Sequence, residues 1–414
     1  MTVPLETKTE ADSLVEISPG RRRVAKILWR LFQLCLFLAP FLLLDWVHSA
    51  AVRRSSRTPA KMTNCGVPDP VRHHAFRPNC SAVYPWGGSW YEFSTNSLAF
   101  RDEKVRVVPL ADVKPRILIL GDSMTEGMLP WRESYVGRIA AHFPQYDFLN
   151  GAARSYSPSN YYNVAHFVLS HGYDIDEVIV FIDISDVQDE ATFYHDKDAS
   201  GAVSGPQPER YPISWWARTR MFIAGRLFLS NHVLESVERF LVGHGFYHLS
   251  TGPLGDAFDM ERGAWTYRKV NETANYYDGY SPLGVEGGIA REKEKMTRLW
   301  QELAGQDIPL SIVVYPHPAQ VLHDTVESRQ VRMWREWCSG KCKRFISLFP
   351  AFLALKDQCP PSHPGCWYLN YFVFGDIHYN ANGNALAADV VTRSLEETPP
   401  VKRQEPPAPG GHIH

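Results

Sequence analysis

RILILGDSMTEGM, residues 116–128, sets a four-residue apolar run against Gly121, Asp122 and a lone serine, Ser123. Ile117, Leu118, Ile119 and Leu120 without a polar break read as a strand buried on both faces, as in a parallel sheet. A glycine at the strand's end lets the backbone turn, so Ser123 falls at the sheet's carboxyl edge, where open α/β sheets bind ligands. A serine there either caps the following helix or acts as a nucleophile.

The remainder of the chain extends this pattern. Residues 134–143 read as a helix, 147–149 as a strand, 158–171 as a helix and 177–182 (EVIVFI) as a second buried strand. This βαβαβ rhythm implies right-handed crossovers and a parallel sheet. It stops after Asp189 for about a hundred residues, in which 214–242 reads as helical and 265–284 as loop. It resumes with a helix near 291–304, the strand 309–316, a helix near 326–337 and a closing helix after residue 380.

A nucleophilic serine needs a base, and the base needs an acceptor to orient it. FGDIHYNANG, residues 374–383, places Asp376 and His378 on one loop between a short apolar run and the last helix, again at the carboxyl edge. Asn380 and Gly383 then read as helix-start chemistry. His317, in YPHPAQ, is a rival base at another strand end, but its flanking prolines make it a rigid loop wall.

The amino terminus carries Arg21, Arg22, Arg23 and Lys26, then eighteen largely apolar residues, 27–44, with Trp46 just beyond. As a helix that run spans about 27 Å, close to a bilayer's hydrocarbon core. A cleaved signal peptide competes, with HSA at 48–50 as a loose processing site, but the long polar leader favours an uncleaved anchor. Arg53, Arg54 and Arg57 follow the span, so the positive-inside rule leans towards a cytoplasmic amino terminus. Apart from Cys35 in the span, six cysteines remain, suiting up to three bridges in an oxidising compartment. Their spacings match no common zinc set, and no cofactor or metal is expected. A net charge of −2, with no basic block near the serine, excludes a nucleic-acid partner.

ILILGDSMTEG and GDIHYNANGNALA resemble the first and last blocks of the SGNH/GDSL hydrolase superfamily, and TNSLAFRDEKVR is similar to a lead-in found in many bacterial members. The resemblance runs from about residue 95 to 395. It implies a flavodoxin-like three-layer α/β/α fold with a central parallel sheet, here preceded by one N-terminal transmembrane helix. It also implies serine esterase or acyl-transfer activity, with Ser123 as nucleophile, His378 as base then acid, and Asp376 as its orienting partner. Members often carry the Asp three residues before the His; here the spacing is two, a variant the family also uses. The oxyanion donors implied are the N–H of Ser123, that of Ser155 at the family's block-two glycine, and the hydroxyl of Ser185 where the family has asparagine. Losing one such donor costs roughly two to three orders of magnitude in rate. Asp183 and Asp186 beside it read equally as structural acceptors.

The organisation expected is a cytoplasmic leader over 1–23, a transmembrane anchor over 24–47, a connector over 48–115, a hydrolase-like domain over 116–397 with an insertion at about 190–290, and an unstructured tail over 398–414. The insertion and connector carry Trp86, Trp90, Trp215, Trp216, Trp265, Tyr276, Tyr277 and Tyr280, whose faces suit sugar rings and ordinary packing alike. The function expected is removal of O-acyl groups, above all acetyl, from envelope or secreted polysaccharide, by a domain held outside the inner membrane. Two alternatives stand beside it. One is a polysaccharide O-acetyltransferase, which needs a separate acyl-donor membrane partner; the other is a catalytically silent assembly component.

Overall fold

In the computed structural model the apolar run 117–120 alternates between two cores. The structure describes residues 19–55, 64–87, 89–197, 203–204, 219, 222–223, 225–247, 261–267 and 280–403. Two compact units divide the chain, one of residues 1–57 and 221–234, the other of residues 58–220 and 235–414.

Twelve strands are described: β1 (Gly66–Asp69), β2 (His73–Phe76), β3 (Ser81–Trp86), β4 (Ser89–Thr95), β5 (Arg101–Asp102), β6 (Arg116–Leu120), β7 (Asp147–Asn150), β8 (Glu177–Ile182), β9 (His195–Asp196), β10 (Val203–Ser204), β11 (Leu310–Val314) and β12 (Arg344–Ser347). Eight form one sheet in the order β12-β11-β8-β6-β7-β5-β4-β3. The first five in that order are parallel, and β5, β4 and β3 continue the sheet antiparallel. The fold is therefore mixed α/β with a mostly parallel central sheet. Part of the stretch read as a connector supplies the three antiparallel strands.

The helices are α1 (Pro19–Ser55), α2 (Ser123–Glu126), α3 (Tyr135–His142), α4 (Pro158–Ser170), α5 (Ser185–Thr192), α6 (Phe228–Gly243), α7 (Glu261–Tyr267), α8 (Gly284–Ala304), α9 (Pro318–His323), α10 (Arg329–Cys338), α11 (Phe349–Leu353), α12 (Cys366–Tyr371) and α13 (Ala381–Glu397). Leu118 and Leu120 of β6 join Val178, Val180, Ile312 and Val314 in a core closed by α4, α8 and α10. Ile117 and Ile119, one residue out of step, join Ile179, Phe181 and Val313 in a second core under α3 and α13. The period of two sends alternate side chains to opposite faces, and both faces are covered by helices, so every β6 position is apolar or paired. Arg116, fully buried at the strand's start, is held by Asp147 at 2.9 Å.

Within the insertion, α7 covers residues 265–267, where the sequence pattern predicts loop: Trp265 is buried in the first core and its turn is helical. Tyr280 is buried there too, so both aromatics pack. Trp215, Trp216, Tyr276 and Tyr277 lie outside the described residues.

The six cysteines form three bridges, Cys65–Cys80, Cys338–Cys342 and Cys359–Cys366, while Cys35 is free and exposed. Cys65 and Cys80 sit in a small core with Tyr91, Phe93 and Met128 that backs β3 and β4. Replacing both with alanine is expected to cost about 3 kcal/mol, since the bridge closes a loop of about 15 residues. Denaturant unfolding of the oxidised variant beside the parent chain measures it.

In the other unit, α1 holds a helix long and apolar enough to cross a membrane, Leu28–Ala51. By length and composition a signal sequence passes the same test.

Candidate active site

The site forms where β6 ends. Gly121 is required there because a Cβ would lie 2.0 Å from the Thr125 hydroxyl, so the need is close approach rather than an unusual φ. Asp122 caps α2, its Oδ1 accepting the Met124 N–H at 2.9 Å and the Tyr315 hydroxyl at 2.7 Å. Ser123 is thereby presented half-buried at the first position of α2. Its Oγ lies 2.8 Å from His378 Nε2 and 3.2 Å from Asp122 Oδ2.

His378 comes from the loop between α12 and α13, 255 residues away in sequence. Its Nδ1 lies 2.5 Å from Asp376 Oδ1, which also accepts the His378 backbone N–H at 3.1 Å. A spacing of two thus lets one carboxylate oxygen hold both the ring and its backbone. Tyr368 braces this loop: its hydroxyl accepts the N–H groups of Gly375 and Asp376, each at 3.0 Å, and donates to the Asp376 carbonyl at 2.9 Å. Asn380 caps α13 through the N–H groups of Asn382 and Gly383, as its place in the sequence suggests. The Trp86 ring stands edge-on to the imidazole, with centroids 5.2 Å apart.

The loop bearing Ser155 is tied to α2. The buried Glu126 carboxylate accepts the Arg154 N–H at 2.9 Å and its guanidinium at 3.1 Å. Ser155 is left-handed, with φ 55°, the region in which a glycine is most at ease. Its carbonyl accepts the Tyr194 hydroxyl, and its own N–H has no partner among the described residues. Ser185 differs from expectation. Its hydroxyl donates to Asp183 Oδ1 at 2.7 Å, the same oxygen that accepts the Ser185 N–H, so it is turned back towards the strand end. His317 is fully buried, with Nε2 2.6 Å from Asp183 Oδ2. Asp183 therefore acts as the structural acceptor, and His317 as its partner.

These charges tune the imidazole. Burial would lower the His378 pKa, but the Asp376 hydrogen bond and charge, with Asp122 and Asp183 beyond, raise it above the ordinary histidine value. Burial and the Asp183 charge push Asp122 up to about 6. Burial acts to raise Asp183 too, but the charge and hydrogen bond of His317 hold it down at about 2. Burial and the neighbouring Asp183 carry Asp186 well above its usual range, with the Tyr161 hydroxyl 3.1 Å from both its oxygens. An imidazole accepts a proton only when neutral, so activity resting on His378 falls as pH drops through its raised pKa. In Asp122→Asn the cap acceptor remains while a charge that raises that pKa is removed. The acid limb of kcat/KM is therefore expected to move to lower pH; a pH–rate profile shows it, and an unmoved limb refutes the coupling.

A cavity of ≈ 10 Å³ lies beside Ser123, bounded by Trp86, Met124, Met128, Leu129, His378 and Tyr379 among others. A second, of ≈ 280 Å³, is lined by His74, Phe76, Tyr84 and Arg154 with residues of β1. Sequence reasoning passed over Tyr368, Tyr315, Glu126 and the imidazole contact of Trp86. Buried aromatics and a helical glutamate carry no pattern that separates them from ordinary core. The described residues hold no cluster of three or more His, Cys, Asp or Glu able to bind a metal ion.

No family model matches the chain, and no curated protein matches it. Solved structures similar to it include esterases and proteins described as GDSL-family or SGNH-hydrolase members. A member of the lipolytic protein G-D-S-L family from Veillonella parvula is 12% identical with a TM-score of 0.33, covering 68% of this chain and 97% of its own. A catalytic mutant of an acetylxylan esterase from Geobacillus stearothermophilus is 10% identical with a TM-score of 0.35, covering 69% and 96%. A psychrotrophic esterase from Pseudoalteromonas is 10% identical with a TM-score of 0.32, covering 69% and 98%.

Proposed function

We propose that this chain is a serine esterase of the SGNH type that removes O-acetyl groups from envelope or secreted polysaccharide. The observation that carries the reading is the chain of contacts from Ser123 Oγ to His378 Nε2 at 2.8 Å and from His378 Nδ1 to Asp376 at 2.5 Å. Counted from β6, the parallel strands run in the order 2-1-3-4-5, which supports a flavodoxin-like reading with Ser123 at the carboxyl edge.

Ser123 Oγ attacks the ester carbonyl while its proton passes to His378 Nε2. The oxyanion draws on the backbone N–H groups of Ser123 and Ser155. Collapse expels the sugar alkoxide, which takes the proton from His378 and leaves the acyl group on Ser123. Water then attacks the acyl-enzyme, gives its proton to His378, and acetate leaves as the proton returns to Ser123. Space for about one water-sized group beside the nucleophile favours acetyl over long acyl chains. The larger cavity, with Phe76 and Tyr84 on its wall, offers aromatic faces to a sugar. Three disulfides favour an oxidising compartment outside the inner membrane, with α1 as the anchor.

A fluorophosphonate probe tests the reading. We expect one adduct per chain, located on Ser123 by peptide mass, and release of acetate from acetylated xylo-oligosaccharide. No adduct on Ser123 would overturn it. Transfer of the acetyl group to an added sugar hydroxyl, with no free acetate, would replace hydrolysis by acyl transfer at the same serine.

A further inference from the structure

We propose that His74, on strand β2, is a positioning residue for the reaction: it fixes the direction of the Ser155 N–H and so aims it at the oxyanion. This rests on reading Ser155 as an oxyanion donor. His74 acts through a single peptide plane. A trans peptide is rigid and flat, and its C=O and N–H point opposite ways. Whatever holds the Arg154 carbonyl therefore sets where the Ser155 N–H points. His74 Nε2 lies 2.7 Å from that carbonyl oxygen. A carbonyl only accepts, so Nε2 carries the proton, and Nδ1 is left to accept from His73 Nδ1 at 3.1 Å. Burial holds the ring below the ordinary histidine pKa, which keeps that neutral form at neutral pH. Donation into the carbonyl also polarises the amide and strengthens the N–H at its other end.

The planes on either side are held by other groups. Glu126 accepts the Arg154 N–H at 2.9 Å, the Tyr156 N–H donates to the Ala153 carbonyl at 3.1 Å, and the Tyr194 hydroxyl donates to the Ser155 carbonyl. For the plane between Arg154 and Ser155, His74 is the sole partner among the described residues. That plane has a reason to turn over. Ser155 sits at φ 55°, where a residue with a side chain is strained. Flipping the plane carries φ to the ordinary negative side and relaxes the residue. It also replaces the N–H by a carbonyl oxygen, which repels an oxyanion. His74 opposes that flip from a hairpin with its own anchors. Its backbone carbonyl accepts the Tyr156 hydroxyl at 2.6 Å, and the Cys65–Cys80 bridge brackets β1 and β2.

The test assays the full chain with nitrophenyl acetate. His74→Phe keeps a flat ring but cannot donate, whereas His74→Gln keeps a donor near the place of Nε2. We expect His74→Phe to lower kcat roughly ten- to a hundredfold with KM within about twofold, and His74→Gln to stay within about threefold of the parent chain. The deciding comparison is the same change on a Ser155→Gly background. Glycine takes a positive φ without strain, so the plane loses its tendency to flip. His74→Phe should then cost severalfold less, measured against Ser155→Gly, than it does beside Ser155. Equal losses on both backgrounds mean that His74 only supports the hairpin, and overturn the inference. A His74→Phe chain as fast as the parent overturns it too, as does His74→Gln as slow as His74→Phe. His74→Leu, which also lacks a donor, takes the place of the Phe variant if that variant loses its circular dichroism. A parent chain that takes no fluorophosphonate on Ser123 removes the reading of the site itself. An adduct on Ser123 beside an unaffected His74→Phe removes this inference alone.

Discussion

His378→Ala is expected to lower kcat for a small acetyl ester by roughly four to six orders of magnitude, the loss seen when one member of a serine triad is removed. Without the imidazole, Ser123 keeps its proton, because the remaining polar group within reach of Oγ is the Asp122 carboxylate at 3.2 Å. The other oxygen of that carboxylate, Oδ1, accepts the Met124 N–H and the Tyr315 hydroxyl, which fixes it as the cap of α2. Folding should be little changed, since the loop is held through Tyr368 and through the backbone pairing of Val373 with the His378 carbonyl. Stopped assays with nitrophenyl acetate, beside circular dichroism, separate lost chemistry from lost structure. A variant within tenfold of the parent chain would remove His378 from the mechanism.

Asp376→Asn should cost about four orders of magnitude in kcat, by leaving the imidazole in the wrong tautomer. The carboxylate accepts from Nδ1, which keeps the Nε2 lone pair facing Ser123; an amide offers a donor there as readily as an acceptor. The pH profile adds a second signature. Burial alone lowers the His378 pKa, and the Asp376 hydrogen bond and charge are the largest influences that raise it. With the charge gone, the acid limb of the residual activity moves to lower pH. Burial acts to raise the pKa of half-buried Asp376, but the hydrogen bond and charge of His378 hold it below the usual carboxylate range, so it stays ionised at neutral pH. Lost rate without that displacement would point to damage in the loop rather than to a missing orienting group.

The Ser123 end of the site was legible because a buried strand must stop where its hydrophobic residues stop, at the sheet's carboxyl edge. Asp376 and His378 stand out as a short polar signal before a closing helix, but the apolar run ahead of them folds as α12 and a loop and not as a strand, so tertiary contact alone brings them to Ser123. Ser185 was harder to read. Its position beside Asp183 is visible in DISD, but which oxygen its hydroxyl seeks depends on His317, 132 positions further along, holding the other side of that carboxylate. Residues 81–102 read as connector because Gly87, Gly88 and several aromatics obscure the alternation, yet the sheet edge at β7 supplies the pairing that local pattern lacks. Arg101 shows the same limit. It is charged in the sequence but fully buried, donating to the Glu126 carbonyl at 2.7 Å and packing against Tyr91 and Phe93, so its role comes entirely from tertiary contacts.

The Cys359–Cys366 bridge ends on the first residue of α12, two positions before the phenol that braces the imidazole loop. Bridge and base are thereby joined: with the bridge reduced, the chain loses that clasp and is expected to hold His378 in a looser grip. Dithiothreitol titrated against turnover should show activity fading before the fold melts; full activity in the reduced protein would unlink the two.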